Sequence, residues 1–194
     1  MIQKKISLFF LVVAFFSFTS PRNHHKKNFE EERFVSYIVD PKKLDVALFW
    51  KDDAGNLIRN FSNLQKLVSL QNRQLVFAMN AGMYQEDNTP LGLFIDHQKV
   101  VTALNTKSGY GNFYFKPNGI FYLDTTNKAF IKTTGEFYIN PTIKYATQSG
   151  PMLVANGLIH QAFSKSSKNL NIRNGVGILA DGRICYVKES NQLF

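Results

Sequence analysis

Hydrophobic and polar positions alternate along much of the chain after residue 33, a pattern typical of half-buried strands. Within residues 34–50, two apolar stretches separated by Asp40 and Pro41 predict a pair of strands. The apolar run at 75–79 is short and continuous, which predicts a buried strand. Further strands are predicted over 91–95, 100–104, 113–115, 120–123 and 129–132, and within 152–159 around the Asn156-Gly157 turn.

One segment has helical rather than extended periodicity. Residues 62–65, Ser-Asn-Leu-Gln, have the form of a capping box, in which side chains satisfy the first backbone N–H groups of a helix. Leu64, Leu67 and Val68 then fall on one face, so the pattern predicts an amphipathic helix that ends near Gln71. Helix signals are nearly absent elsewhere in the region 33–194. The expected fold class is therefore α+β, a single strand-rich domain with curved sheets and few helices.

Two turns are predicted from local chemistry. Asp181-Gly182 lies between the apolar runs 176–180 and 183–187, and Asp-Gly favours the positive φ angles of a two-residue hairpin turn. Asp96-His97-Gln98-Lys99 is also most simply a hairpin turn. We therefore expect Asp181 to serve its turn, and we do not expect His97 to bind a metal.

The first twenty residues differ from the rest of the chain. Lys4 and Lys5 precede an apolar run over 6–18, which is typical of a secretory signal. A retained membrane anchor is the alternative, but the run is shorter than the roughly 17 to 25 residues that a span needs. Residues 21–32 are polar and lack periodicity, which predicts a disordered linker before the domain. No stable membrane span is expected once the signal is removed.

Charge and cysteine content limit the binding partners and the cellular compartment that the sequence predicts. The formal net charge is +9, and removing the predicted signal leaves 21 basic and 14 acidic residues, or +7. The basic residues are scattered, with one cluster at 24–27 in the predicted linker, so a nucleic-acid partner is not expected. An anionic glycan remains open as a partner. The single cysteine, Cys185, permits no internal disulfide, so an exported protein of a bacterial periplasm or a secreted bacterial protein fits best.

Strong catalytic signatures are missing from the sequence: it has no phosphate-binding glycine loop with lysine, no paired cysteines and no HExxH. Three junctions combine glycine with amide, hydroxyl or guanidinium groups at the ends of apolar runs, where sites are commonly built. They are 80–84 with 89–92, then 148–151, and 172–177. From spacing alone these residues could simply form turns.

Five blocks of sequence, in this order, resemble those of the phosphodiester glycosidase domain family, in its bacterial branch. They are FAMNAGMY (77–84), PLGL (90–93), PNGIF (117–121), ATQSGPML (146–153) and RNGVG (173–177). The resemblance covers about 75–187. It implies an enzyme that hydrolyses the bond between an anomeric carbon and a phosphodiester oxygen.

The resemblance also implies site residues. Arg173 would grip the phosphate, because a guanidinium can donate two parallel hydrogen bonds to it. Asn80 is assigned with it to the catalytic group, and Asp87 is the candidate carboxylate. The substrate-binding residues would be Gly82, Tyr84, Asn118, Gln148, Ser149, Gly150 and Asn174. No cofactor is predicted, and dependence on a divalent metal is left open.

Family members continue beyond the last hairpin with a helix and a strand that ends in an Asp-Gly block. This sequence ends at Phe194, so we expect a truncated and poorly active member, because a lost strand leaves a sheet edge unpaired. If about forty added residues raised neither activity nor thermal stability, this expectation would fail. The alternatives to an exported hydrolase are a non-catalytic binder of anionic glycans, an inactive homologue and a scaffold without a ligand.

Overall fold

The computed structural model of the protein describes residues 34–163 and 173–189. The predicted signal segment (1–20), the predicted linker (21–32) and residues 190–194 lie outside this described part. The elements, in chain order, are β1 (Phe34–Val39), α1 (Phe61–Leu70), β2 (Phe94–Asp96), β3 (Lys99–Thr102), β4 (Gly119–Asp124), β5 (Ala129–Thr133), β6 (Ile143–Ser149), β7 (Val154–Ala155), β8 (Leu158–Ile159), β9 (Asn174–Ile178) and β10 (Ile184–Glu189). The described residues are thus strand-rich with a single α-helix, roughly as the α+β expectation has it.

The larger sheet has five strands in the order β3-β2-β6-β4-β5, and each neighbouring pair is antiparallel. β6 is the central strand, between β2 and β4. Its polar Thr147 and Gln148 are buried, so the strand does not show the apolar pattern of a core strand. Sequence periodicity therefore missed β6, although β6 organises the sheet.

The smaller sheet has three strands in the order β1-β10-β9. Its β9–β10 hairpin is confirmed, but the predicted two-residue turn is wrong. Leu179 and Arg183 pair around a three-residue loop, and in that loop only Gly182 has a positive φ, of 86°. A three-residue loop needs one left-handed residue rather than two, and glycine adopts that conformation without steric cost.

The predicted helix is present as α1, with Leu64 and Val68 buried. Its cap, however, is Asn60 rather than the predicted Ser62. The Asn60 side chain accepts a hydrogen bond of 2.9 Å from the backbone N–H of Asn63. An asparagine oxygen satisfies this otherwise unpaired donor as well as a serine does, so the helix begins earlier than the capping-box pattern suggested.

Two predicted strands do not form. Residues 44–50 and 75–79 are irregular rather than paired, and β1 pairs with β10 instead of with 44–50. Several of their apolar side chains are partly buried by packing alone. Phe77, for example, stacks between Tyr37 and Tyr186, at ring-centroid distances of 5.0 and 5.9 Å. A segment that packs against the core shows the same apolar pattern as a strand, which explains the wrong prediction of strands here.

Two further local predictions had different outcomes. Residues 113–115 were predicted as a strand, but Asn112–Tyr114 form a 3-10 turn. The predicted turn at His97 is confirmed, since His97 and Gln98 both have positive φ between β2 and β3. The His97 ring bonds Asp96 through Nδ1 and the Tyr145 hydroxyl through Nε2, each at 2.7 Å. This histidine is thus occupied by structural contacts.

The core holds the two sheets together. Phe121, Leu123 and Tyr145 of the larger sheet form one buried cluster with Ile184 of the smaller sheet. Burying each large apolar side chain stabilises the fold by about 2 kcal/mol, so this cluster fixes the relative position of the two sheets. Among the described residues, no helix has the length and apolar character needed to cross a bilayer.

Candidate functional site

A cavity of about 480 Å3 forms where loops from four parts of the chain meet. It is lined by residues 80–84, Leu91, residues 110–114, Ser149 and residues 173–174, and we call it the amide cavity. Ser149 is the last residue of β6, while Arg173 and Asn174 lie at the start of β9. The packing of the two sheets therefore brings these segments together.

Six of the ten residues predicted from the sequence line the amide cavity: Asn80, Gly82, Tyr84, Ser149, Arg173 and Asn174. They come from all three of the glycine-containing junctions, which are far apart along the chain. The cavity thus contains carboxamide, hydroxyl and guanidinium groups, which bind oxygen-rich ligands by hydrogen bonds.

Gly82 explains how the 80–84 segment reaches β6. A Cβ atom at this position would lie 2.8 Å from the backbone oxygen of Gln148, closer than real Cβ atoms come to backbone. Any side chain here would push the segment away from the sheet, because a backbone atom cannot yield as a side chain can. Gly82 therefore places Asn80 and Tyr84 at the rim of the cavity.

Arg173 is held through its backbone by Glu189. The Arg173 N–H donates a 3.0 Å hydrogen bond to Glu189 Oε2, and the Glu189 N–H donates a 3.1 Å bond to the Arg173 carbonyl. Glu189 is 8% exposed, whereas Arg173 is exposed and lines the cavity. Glu189 was not predicted as a site residue, because nothing in its local sequence marks its contact with a residue sixteen positions away.

The amide cavity favours an anion. Among the described residues that line it, Arg173 carries the one formal charge, which is positive. The remaining polar groups are neutral amides and hydroxyls, including those of Asn80, Asn112 and Ser149. No aspartate or glutamate lies among the described lining residues, so nothing in the described lining repels a phosphate.

Gln148 lies outside the amide cavity and is 1% exposed. Its Oε1 accepts hydrogen bonds from the backbone N–H groups of Leu93 and Asn105, at 2.9 and 3.0 Å. Its Nε2 donates to the Asn105 carbonyl at 2.7 Å and to the Thr134 hydroxyl at 3.3 Å. Both amide atoms are thereby used within the protein. Gln148 joins the backbones of Leu93 and Asn105 to the Thr134 side chain, and no part of its amide is left for a substrate.

Asn118 and Gly150 are also buried behind the cavity wall. Asn118 is 0% exposed, and its Nδ2 donates a 3.1 Å hydrogen bond to the Phe113 carbonyl. Gly150 lies directly against the same carbonyl. These two residues therefore support the 112–114 turn, which lines the cavity, and do not reach the cavity themselves.

Asp87, the candidate carboxylate, does not line the amide cavity. Its Oδ1 accepts hydrogen bonds from the Thr89 hydroxyl at 2.6 Å and from the Thr89 N–H at 2.9 Å. These two bonds lower the pKa of Asp87 from its ordinary value. Asp87 therefore serves as an exposed turn residue in this structure, and its catalytic role stays a prediction.

A larger cleft, of about 1280 Å3, lies between the two sheets and α1. Residues 80–84, Ser149 and Asn174 line both this cleft and the amide cavity, so the two spaces adjoin. Aromatic and aliphatic side chains make up much of the cleft wall. Burial there raises the pKa of Tyr186 to about 12.

The site also contains residues that were not predicted from the sequence. The amide cavity is lined by Tyr110, Asn112 and Tyr114, from a segment in which only 113–115 was predicted, as a strand. Among the described residues, no group of three or more histidine, cysteine, aspartate or glutamate side chains is arranged to hold a metal ion.

Comparison with known proteins gives the class of this chain. Residues 73–188 match the family of phosphodiester glycosidases, and this match spans more than half of the sequence. The chain therefore belongs to the phosphodiester glycosidase family, as its five sequence blocks indicated.

The chain is also similar to the uncharacterized protein YigE of Escherichia coli (strain K12). The two are 36% identical over 152 residues, which cover 78% of this chain and 59% of YigE. The chain thus spans less than two thirds of the length of this curated relative. No solved structure matches the chain significantly.

Proposed function

We propose that this protein hydrolyses sugar-1-phosphodiesters at the bond between the anomeric carbon and the phosphodiester oxygen. Membership of the phosphodiester glycosidase family supports the reaction class. The observation that carries the proposal is the convergence of Arg173 with Asn80, Asn174 and Ser149 on one cavity whose described lining has no acidic side chain.

Arg173 binds the phosphodiester in this proposal. A phosphate monoester is a weakly basic leaving group, so protonating it matters less than stabilising the negative charge that it takes away. The planar guanidinium can donate two hydrogen bonds to the phosphate oxygens. Glu189 keeps the Arg173 backbone in place at the wall of the cavity.

Asn80, Asn174 and Ser149 orient the sugar. Each offers a donor and an acceptor, which suits the hydroxyl groups of a pyranose. Water then attacks the anomeric carbon, which becomes bonded to the water oxygen while the phosphate monoester departs with the former bridging oxygen. The proton that the water loses is taken up by the departing phosphate monoester, so the step balances without a carboxylate from the described lining.

We further propose that the protein acts outside the cytoplasm, on phosphorylated glycans of the bacterial envelope. The basic start and apolar run of residues 1–20 support export. The net charge of +7 that remains once the predicted signal is removed supports an anionic polymer as substrate, because a positive field concentrates anions near the protein.

A second candidate function is non-catalytic binding of anionic glycans. The specific observation in its favour is that the described lining of the amide cavity holds no carboxylate, although glycoside cleavage commonly uses one. Such a protein would keep the phosphate and sugar contacts but would not turn its ligand over.

An assay with two chromogenic substrates separates these functions. The first is a nitrophenyl phosphodiester of N-acetylglucosamine 1-phosphate, and the second is the nitrophenyl glycoside of the same sugar, without phosphate. Because nitrophenol leaves the first substrate only as its phosphate ester, the assay adds a phosphatase that releases the dye. Turnover of the first alone, lost in Arg173→Ala, supports the proposed hydrolase. Binding of the first without turnover supports the second candidate, and equal turnover of both contradicts the role given to phosphate.

A further inference from the structure

Three tyrosines line the amide cavity: Tyr84, Tyr110 and Tyr114. Tyr110 is fully exposed and Tyr84 is 57% exposed. An exposed ring gains little from burial in the folded protein, so the stability of the fold does not account for the position of Tyr110. Exposed aromatic rings at the rim of a concave, polar site are available to a ligand.

The ring of Tyr110 is carried on a supported turn. Tyr110 stands between Gly109 and Gly111, and Gly111 has a positive φ of 93°. A Cβ atom on Gly109 would lie 2.8 to 2.9 Å from three atoms of the Tyr114 ring, so that ring packs directly on the backbone beside Tyr110. The turn thus needs glycine at both positions, one for its φ and one for its close approach.

Phe113 anchors the same turn to the core. It is 2% exposed and meets the Tyr114 ring edge to face, with ring centroids 5.1 Å apart and an interplanar angle of 86°. The Tyr114 N–H also bonds the Gly111 carbonyl at 3.1 Å. Because the support is ordered before a ligand arrives, less conformational entropy is lost on binding.

The rings and the amides suit different parts of one ligand. A pyranose has C–H bonds on its faces and hydroxyl groups around its edge. The C–H bonds carry a small positive charge and pack on the negative face of an aromatic ring. The hydroxyls can bond Asn80, Asn112 and Asn174, which line the same cavity. A phosphate alone would use Arg173 and leave the rings uncovered.

We propose that Tyr110, together with Tyr84, forms a platform on which the pyranose ring of the ligand stacks, and that this platform selects a sugar phosphate over other phosphates. This inference rests on the proposed function for the location of the phosphate at Arg173. It adds the residues that determine specificity for the sugar.

Binding measured by titration calorimetry tests the platform without any need for turnover. The probes are the 1-phosphates of N-acetylglucosamine, glucose, galactose and mannose, with glycerol 1-phosphate as the comparison that lacks a pyranose. We expect the wild-type protein to bind at least one sugar phosphate about tenfold more tightly than glycerol 1-phosphate. Tyr110→Ala removes this preference and leaves the affinity for glycerol 1-phosphate unchanged, whereas Tyr110→Phe keeps it.

Tyr138→Ala is the matched control, because Tyr138 is 78% exposed and lines neither cavity. This variant binds all probes as the wild type does. The inference is overturned if no sugar phosphate is preferred, if Tyr110→Ala keeps the preference, or if Tyr138→Ala loses it equally. A wild-type protein that shows the preference but hydrolyses no phosphodiester keeps the platform and removes the proposed hydrolase. If Tyr110→Ala instead hydrolyses a phosphodiester with an unchanged KM, the proposed hydrolase is kept and the platform is overturned.

Discussion

The backbone of Arg173 is bonded to Glu189 at both of its polar atoms: its N–H reaches the Glu189 carboxylate at 3.0 Å, and its carbonyl accepts the Glu189 N–H at 3.1 Å. Glu189 ends β10, and Arg173 immediately precedes β9. The carboxylate therefore extends the pairing of the two strands up to the amide cavity. It links the position of the guanidinium to the smaller sheet.

Replacing Glu189 with alanine removes the acceptor for the Arg173 N–H. We expect kcat/KM for a sugar-1-phosphodiester to fall about tenfold, mainly through KM, because the phosphate-binding residue is no longer held in place. Glu189→Gln keeps an oxygen at the same position and retains most of the activity. Thermal unfolding measured in parallel distinguishes a loss of positioning from a loss of overall stability. An equal fall in Tm in both variants, with equal activity, would contradict the positioning role.

Gln148 gives a prediction about stability rather than binding. Gln148→Leu leaves two backbone N–H groups, of Leu93 and Asn105, and the Asn105 carbonyl without their partner. Unpaired buried polar groups cost about 1 to 3 kcal/mol each, so the free energy of unfolding should fall by about 3 kcal/mol or more in urea titrations. Ser149→Ala, on the next residue, is the control and should change it little. If Gln148→Leu instead lost ligand binding at unchanged stability, the substrate-binding role predicted from the sequence would be supported.

Gly82 should not tolerate a side chain. Gly82→Ala places a Cβ against the Gln148 carbonyl, and relieving such an overlap costs about 2 kcal/mol of unfolding free energy. Gly135→Ala provides the comparison, since a Cβ there meets no atom within 4 Å. Equal unfolding midpoints for the two variants would show that the 80–84 segment does not pack on β6 as described.

Alkaline pH should destabilise the protein through its buried tyrosines. Burial raises the pKa of Tyr186 to about 12, and burial, followed by the charges of Asp45 and Asp96, does the same for Tyr145. In the unfolded chain, tyrosine hydroxyls ionise at roughly pH 10. The stability that these two tyrosines contribute is therefore fully present below pH 10 and is lost as the pH rises towards 12. Urea titrations between pH 9 and 11.5, a range set by these values, measure this loss.

Tyr186→Phe tests the cause of that alkaline loss. With no hydroxyl to ionise at this position, the variant should lose stability less steeply over the same range. Tyr138→Phe removes the hydroxyl of an exposed tyrosine and serves as the control. Identical pH profiles for the wild type and Tyr186→Phe would show that burial of this ring does not govern the alkaline response.

The elements that sequence predicted well are those that local chemistry determines. Leu64 and Val68 at helical spacing predicted α1. The residue types at 96–99 predicted the β2–β3 turn, in which His97 and Gln98 have positive φ. β6 was missed because its buried Thr147 and Gln148 are polar, and their hydrogen bonds come from distant segments. Residues 75–79 were misassigned because burial by packing and burial in a sheet leave the same apolar pattern.

The site was predictable to the extent that its chemistry lies in the glycine-containing junctions. Asn80 and Arg173 were predicted in this way, and both line the amide cavity. Tertiary packing determines whether an amide faces the cavity or the core. Asn174 lines the cavity, whereas Asn118 is buried. Tyr110 gave no signal of its own, because its role depends on the concave surface around it.

The bond that is broken tests the central claim most directly. The wild-type protein is incubated with a sugar-1-phosphodiester in water enriched in oxygen-18, and the phosphate monoester product is examined by phosphorus NMR. Cleavage between the anomeric carbon and oxygen, as proposed, leaves the phosphate without label, and Arg173→Ala but not Arg183→Ala slows its release about a hundredfold or more. Oxygen-18 in the phosphate, or no product from the wild-type protein, would contradict the account.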